Sequence, residues 1–126
     1  MTPAETLTAA ADRVRDLAAD ADKAPWIDYR DGWCILSQPD GDDRATWRTV
    51  CSEGFTRENG RWIVALSPAT SGPLESILRA AAHDVTVSGM VLNAMQFKAA
   101  LEDRFGPALD LAKAILGFRE ENNDGE

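Results

Sequence analysis

The chain has 126 residues, 44% of them apolar, with 21 acidic against 13 basic side chains and a formal net charge of -8. This length is one domain's worth, enough to bury a core without a disulfide or metal staple, and the apolar content excludes wholesale disorder. The acidic balance disfavours direct nucleic-acid binding and anionic membrane surfaces, which both reward clustered Lys and Arg, and no run of about 18 apolar residues is available to span a bilayer.

Thr2-Pro3-Ala4-Glu5 is a helix start. Thr2 caps, Pro3 suits the first helical position, and Glu5 completes a capping box. Leu7, Ala10, Ala11, Val14, Leu17, Ala18 and Ala21 follow at helical spacing, so the helix presents an Ala-rich stripe that allows close packing. It should end before Pro25, which biases Ala24 out of the helical region. The N-terminus has neither the basic start nor the apolar core of a signal peptide, so the expected location is cytoplasmic.

A hairpin comes next. Trp26–Arg30 and Trp33–Ser37 flank Asp31-Gly32, a dipeptide that favours a two-residue type I′ turn. The turn fixes the register: Arg30 opposite Trp33, Asp28 opposite Ile35, and Trp26 opposite Ser37. Ile27, Tyr29, Cys34 and Leu36 then share one face, which reads as core. Trp26, Asp28, Arg30, Trp33 and Ile35 share the other. Residues 38–43 form a loop, and Ala45–Cys51 reads as a third strand rich in β-formers.

The stretch 52–66 carries two signals. Asn59-Gly60 before Arg61–Leu66 is a hairpin signature and, taken alone, predicts a fourth strand. A helix competes, because Trp62, Ile63 and Leu66 also share one helical face. Ser67-Pro68 opens a helix whose stripe is Leu74, Ile77, Leu78 and Ala81, with Pro73 placed to restart or kink it. Residues 88–105 also read as helical, with Val91, Leu92, Met95, Leu101 and Phe105 as the buried stripe. The pattern of Val91, Met95 and Leu101 suits pairing, so a homo-oligomer is a further expectation. Gly106 stops that helix, Pro107 opens a last one through Leu116, and Gly117 ends it.

Charge is unevenly placed. Residues 28–58 hold seven acids and four bases, residues 61–117 hold five of each, and the last nine residues hold four acids and one base. The expected organisation is one compact domain over 1–117 and a disordered acidic tail at 118–126. The expected fold class is α+β: a small antiparallel β-sheet of about three strands packed with four or more helices.

Ala24-Pro25-Trp26, then Trp62-Ile63-Val64-Ala65-Leu66-Ser67-Pro68, and finally Ala112–Gly117 give a pattern. It is an Ala-rich helix, a Pro-Trp step into short strands, and an aromatic-Ile segment leading into a Leu-rich helix. This resembles small accessory proteins encoded by phages, prophages and actinobacterial genomes, the Ead-like proteins of enterobacterial phages among them. The resemblance implies a helix at 61–66 rather than a strand, and an insertion at 84–105. It implies a mobile-element context and no catalytic residue.

No catalytic constellation is visible. His83 is the only histidine and reads as lying near a helix end, where a cation is favourable. Cys34 sits on the apolar face of the hairpin and reads as a buried reduced thiol, and two cysteines without a secretory signal do not imply a disulfide. Metal-ligand spacing is lacking too: Asp40-Gly41-Asp42-Asp43 misses the central Gly and distant Glu of a calcium loop. We therefore expect no cofactor, no metal and no enzyme.

The tryptophans point elsewhere. On the hairpin parity, Trp26, Trp33 and Ile35 face outward beside Asp28 and Arg30, which is the composition of an interface hot spot. The expected function is a non-enzymatic phage-type accessory protein that binds a protein partner through this face. An acidic nucleic-acid mimic aimed at a DNA-binding partner is one alternative. A small-molecule protein that sequesters a nucleotide is another.

Overall fold

Helix α1, Pro3–Asp20, begins as a reciprocal capping box. The Glu5 amide donates to Thr2 Oγ1 at 3.1 Å, and the Thr2 amide donates to Glu5 Oε2 at 3.2 Å. Three short strands follow: β1 Trp26–Tyr29, β2 Cys34–Ser37 and β3 Arg48–Cys51. Then come α2 Arg57–Ala65, α3 Ser71–Val91, α4 Ala94–Glu102 and α5 Gly106–Leu116. The computed structural model describes residues 1–29, 34–52 and 57–117. The Asp31-Gly32 turn and the acidic tail lie outside the described residues. The fold class is the expected α+β, with a three-stranded antiparallel sheet in the order β1-β2-β3.

The chain divides into two compact units, Met1–Arg15 with the chain from Leu74 onward, and Asp16–Pro73. The first is helical. Leu7, Ala10 and Ala11 of α1 meet Leu78, Ala82 and Val85 of α3, and Phe105, Leu109 and Ala112 complete the core around α5. Four of those nine are alanines, two of them, Ala10 and Ala11, from the Ala-rich stripe of α1. An ion-pair cluster flanks this core. Arg79 donates from Nη2 to Asp12 Oδ1 and from Nε to Glu75 Oε2, both at 2.8 Å. Hydrogen bonding from Arg79, and then its charge, holds the Asp12 carboxyl below the usual carboxylate range.

The long helix expected over 88–105 is broken. Helix α3 ends at Val91, and Asn93 restarts the chain as α4. Asn93 Oδ1 accepts from the Gln96 amide at 2.8 Å, and Gln96 Oε1 accepts from the Asn93 amide at 3.2 Å. This second capping box satisfies two amides that a continuous helix would have bonded internally. The break changes which residues are buried: Phe105 is buried as expected, but Val91, Leu92 and Met95 are exposed. Ile77 is exposed as well, because the α3 stripe that meets the core runs through Leu78, Ala82 and Val85 instead. Helix α5 ends as predicted, with Gly117 in the left-handed region at φ 74°.

In the second unit the hairpin register is the expected one: Trp26 opposite Ser37, Asp28 opposite Ile35, and Tyr29 opposite Cys34. Strand β3 pairs with β2 through Ile35–Cys51 and Leu36–Thr49, a bulge that leaves Val50 as the extra residue. The third strand is shorter than predicted. Arg44–Thr46 form a 3-10 turn, because Asp43 Oδ1 accepts from the Ala45 amide at 3.2 Å. Residues 61–65 belong to helix α2, which lies against β1 and β2. The Asn59-Gly60 hairpin signal is overridden: Gly60 is the buried residue of α2, where a missing side chain lets the helix approach its neighbours.

Candidate functional site

Of the hairpin face chosen from the sequence, the side chains of Trp26 and Ile35 are described, and neither is exposed. Ile35, expected on the outward face, is fully buried, and so is Ser37, while Leu36 between them is 9% exposed. Successive strand residues point to opposite faces, so both faces of β2 are covered. Strand β2 is central and bonded on both sides, and in such a strand the in–out alternation no longer separates core from surface. Trp26 is half-buried, and its indole N–H is committed to the Asp22 carbonyl at 2.8 Å. Asp28 keeps its backbone place opposite Ile35. Arg30 and Trp33 lie outside the described residues.

The same region shows why the preceding loop is polar. Ser37 Oγ donates to the Lys23 carbonyl, and the Gln38 amide donates to the Pro25 carbonyl at 2.9 Å. These bonds tie the chain after α1, with its cis Ala24–Pro25 peptide, to the end of β2. Asp22 pairs with Arg48 at 3.1 Å. Asp40–Asp43 are turn formers, with the Asp43 amide bonded to the Asp40 carbonyl at 3.3 Å and Gly41 at φ 60°.

An open depression of about 430 Å³ borders Asp22, Thr46, Trp47, Arg48 and Thr49. A second of about 330 Å³ shares Asp22 and Arg48 and adds Lys23, Ser37 and Pro39. A stacked base would need a free aromatic face. Here the Arg44 guanidinium lies 5.4 Å from the Trp47 ring centroid, Tyr29 meets that ring edge-on at 6.1 Å, and the indole N–H is donated to the Gly41 carbonyl at 2.7 Å. The Trp47 indole is thus held in place by its neighbours within this unit.

His83 lies in the middle of α3 and is exposed, not near a helix end. Cys34 and Cys51 are not joined in a disulfide, and each is half-buried. Among the described residues, no group of three or more His, Cys, Asp and Glu side chains is placed to hold a metal ion. No helix there is long and apolar enough to cross a membrane.

Among the described residues, neighbouring apolar side chains stand open in two places. Trp62 and Leu66 sit one turn apart at the end of α2, both 67% exposed. The second is the corner where α3 gives way to α4, carrying Met90, Val91, Leu92 and Met95. The sequence put Trp62 and Leu66 on one face of a helix that competed with a strand, and put Val91, Leu92 and Met95 in a helical stripe read as buried. The signal for the corner was the Asn93-x-x-Gln96 capping pattern inside the apparent helix. For Trp62 and Leu66 it was their i, i+4 spacing beside the charged Arg57, Glu58 and Arg61. No family model matches the chain, and neither a curated protein nor a solved structure is significantly similar to it.

Proposed function

We propose that this chain is a non-enzymatic accessory protein of the phage or prophage type, acting by binding another protein. The observation that carries this reading is the Trp62–Leu66 pair on α2. Tryptophan dominates interface hot spots because it brings a large rigid apolar surface at little entropic cost. A ring 67% exposed, with an exposed leucine one turn on and the exposed Glu58 one turn before, has that composition. The partner it fits presents an apolar pocket with a polar border.

The test is a photo-crosslinking residue placed at position 62 in the full chain, expressed in its native host, with Trp62→Ala as the binding variant. One protein should crosslink reproducibly, and Trp62→Ala should weaken its binding by about 2 kcal/mol, or roughly 30-fold. The circular dichroism spectrum should be unchanged because the ring is not core. Undiminished binding by Trp62→Ala would remove α2 as the docking surface.

A further inference from the structure

The α3–α4 corner exposes Met90, Val91, Leu92 and Met95 by 80%, 75%, 36% and 82%, and Val87 one turn earlier by 44%. These exposures amount to roughly 600 Å² of apolar-residue surface, at the top of what a monomer leaves open and near the ~800 Å² each partner buries in a standard interface. The corner is preformed: a Cβ at Gly89 would sit 3.4 Å from the Phe97 ring, so the start of α4 is held against the end of α3.

The charge pattern selects the occupant. Residues 85–97 contain no ionisable side chain. Copies carrying -8 repel one another, and a contact through an uncharged patch brings no like charges together at short range. The first charges on either side are Asp84 and Lys98, opposite in sign. In a two-fold contact the same patch serves both copies, so residue i meets j and j meets i. Asp84 of each copy set against Lys98 of the other would then close both ends of the patch. An anionic lipid surface offers no such match to an acidic protein.

We propose that the α3–α4 corner is a dimerisation surface, pairing with a second copy of this chain about a two-fold axis through Met90, Val91, Leu92 and Met95, with Asp84 against Lys98. It stands on different residues from the Trp62 surface. The chain has three methionines, Met1, Met90 and Met95, so methyl NMR of the unmodified protein reads the corner directly with Met1 as reference. Raising the concentration should shift the Met90 and Met95 signals, while the sedimentation mass climbs from 13.7 kDa toward twice that value. Met90→Glu with Met95→Glu should weaken dimerisation at least about 100-fold. Asp84→Lys and Lys98→Asp should each weaken it, and the two together should restore it. Monomer mass at every concentration overturns the proposal, including where the corner binds lipid vesicles instead. A dimer indifferent to the glutamates overturns it too, and a charge swap that fails to restore pairing overturns the two-fold arrangement.

Discussion

Two apolar residues of α3 should respond oppositely to truncation. Leu78 is fully buried in the cluster it forms with Leu7, Ala10, Ala11, Ala82, Val85, Phe105, Leu109 and Ala112. Leu78→Ala removes three carbon atoms' worth of burial and leaves a void. Its alanine neighbours have no side-chain reach with which to fill that void, so relaxation is limited. The expected loss is about 3–4 kcal/mol, in the middle of the range for buried leucines, against a total stability on the order of 10 kcal/mol. At this chain length it corresponds to a fall in Tm of roughly 10–15 °C. Met90→Ala, twelve residues on in the same helix, removes a side chain that is mostly in solvent and should stay within about 0.5 kcal/mol. The assay is urea unfolding followed by far-UV circular dichroism, at a concentration low enough to keep the chain monomeric. Equal losses for the two variants would mean that the α3–α4 corner is core and that the exposure argued for it is wrong.

The capping box that separates α3 from α4 should be worth about 1 kcal/mol. Asn93→Ala should lose that amount, with faster amide exchange in the first turn of α4, and an unchanged exchange pattern would show that the break has another cause. The Asp12–Arg79 pair gives a pH prediction. Because the folded state depresses the Asp12 carboxyl, the pair's contribution is complete above the ordinary carboxylate range, near pH 4, and is lost as pH falls through the lower folded value. The stability difference between the native chain and Asp12→Asn should therefore shrink on acidification. A difference that stays constant down to about pH 2 would show that the ion pair is not its source.

Local signals were legible where a few adjacent residues decide the outcome. Thr2 and Glu5 mark the start of α1, Gly117 marks the end of α5, and the Asp31-Gly32 dipeptide implies the register found between β1 and β2. What failed were inferences from periodicity to burial. Ile35 alternates like a surface position, yet β2 is the middle strand and both its faces are covered. Val91 and Met95 repeat like core positions, yet the Asn93 cap turns the chain and leaves them outside. Trp62 shares a helical face with Ile63 and Leu66, but nothing in that spacing says which flank of α2 meets the sheet. Periodicity shows that an apolar side exists. Which neighbour covers it is decided by partners distant in sequence.

The helical unit draws its first fifteen residues from one end of the chain and the remainder from beyond Leu74. On the ribosome, the Leu7 and Ala10 face of α1 must wait for Leu78, 68 residues after Ala10, to emerge. At roughly 5–20 residues per second that delay lasts several seconds. Meanwhile the contiguous segment between them is already synthesised in full, so the sheet unit can fold while the apolar face of α1 still lacks its partners on α3.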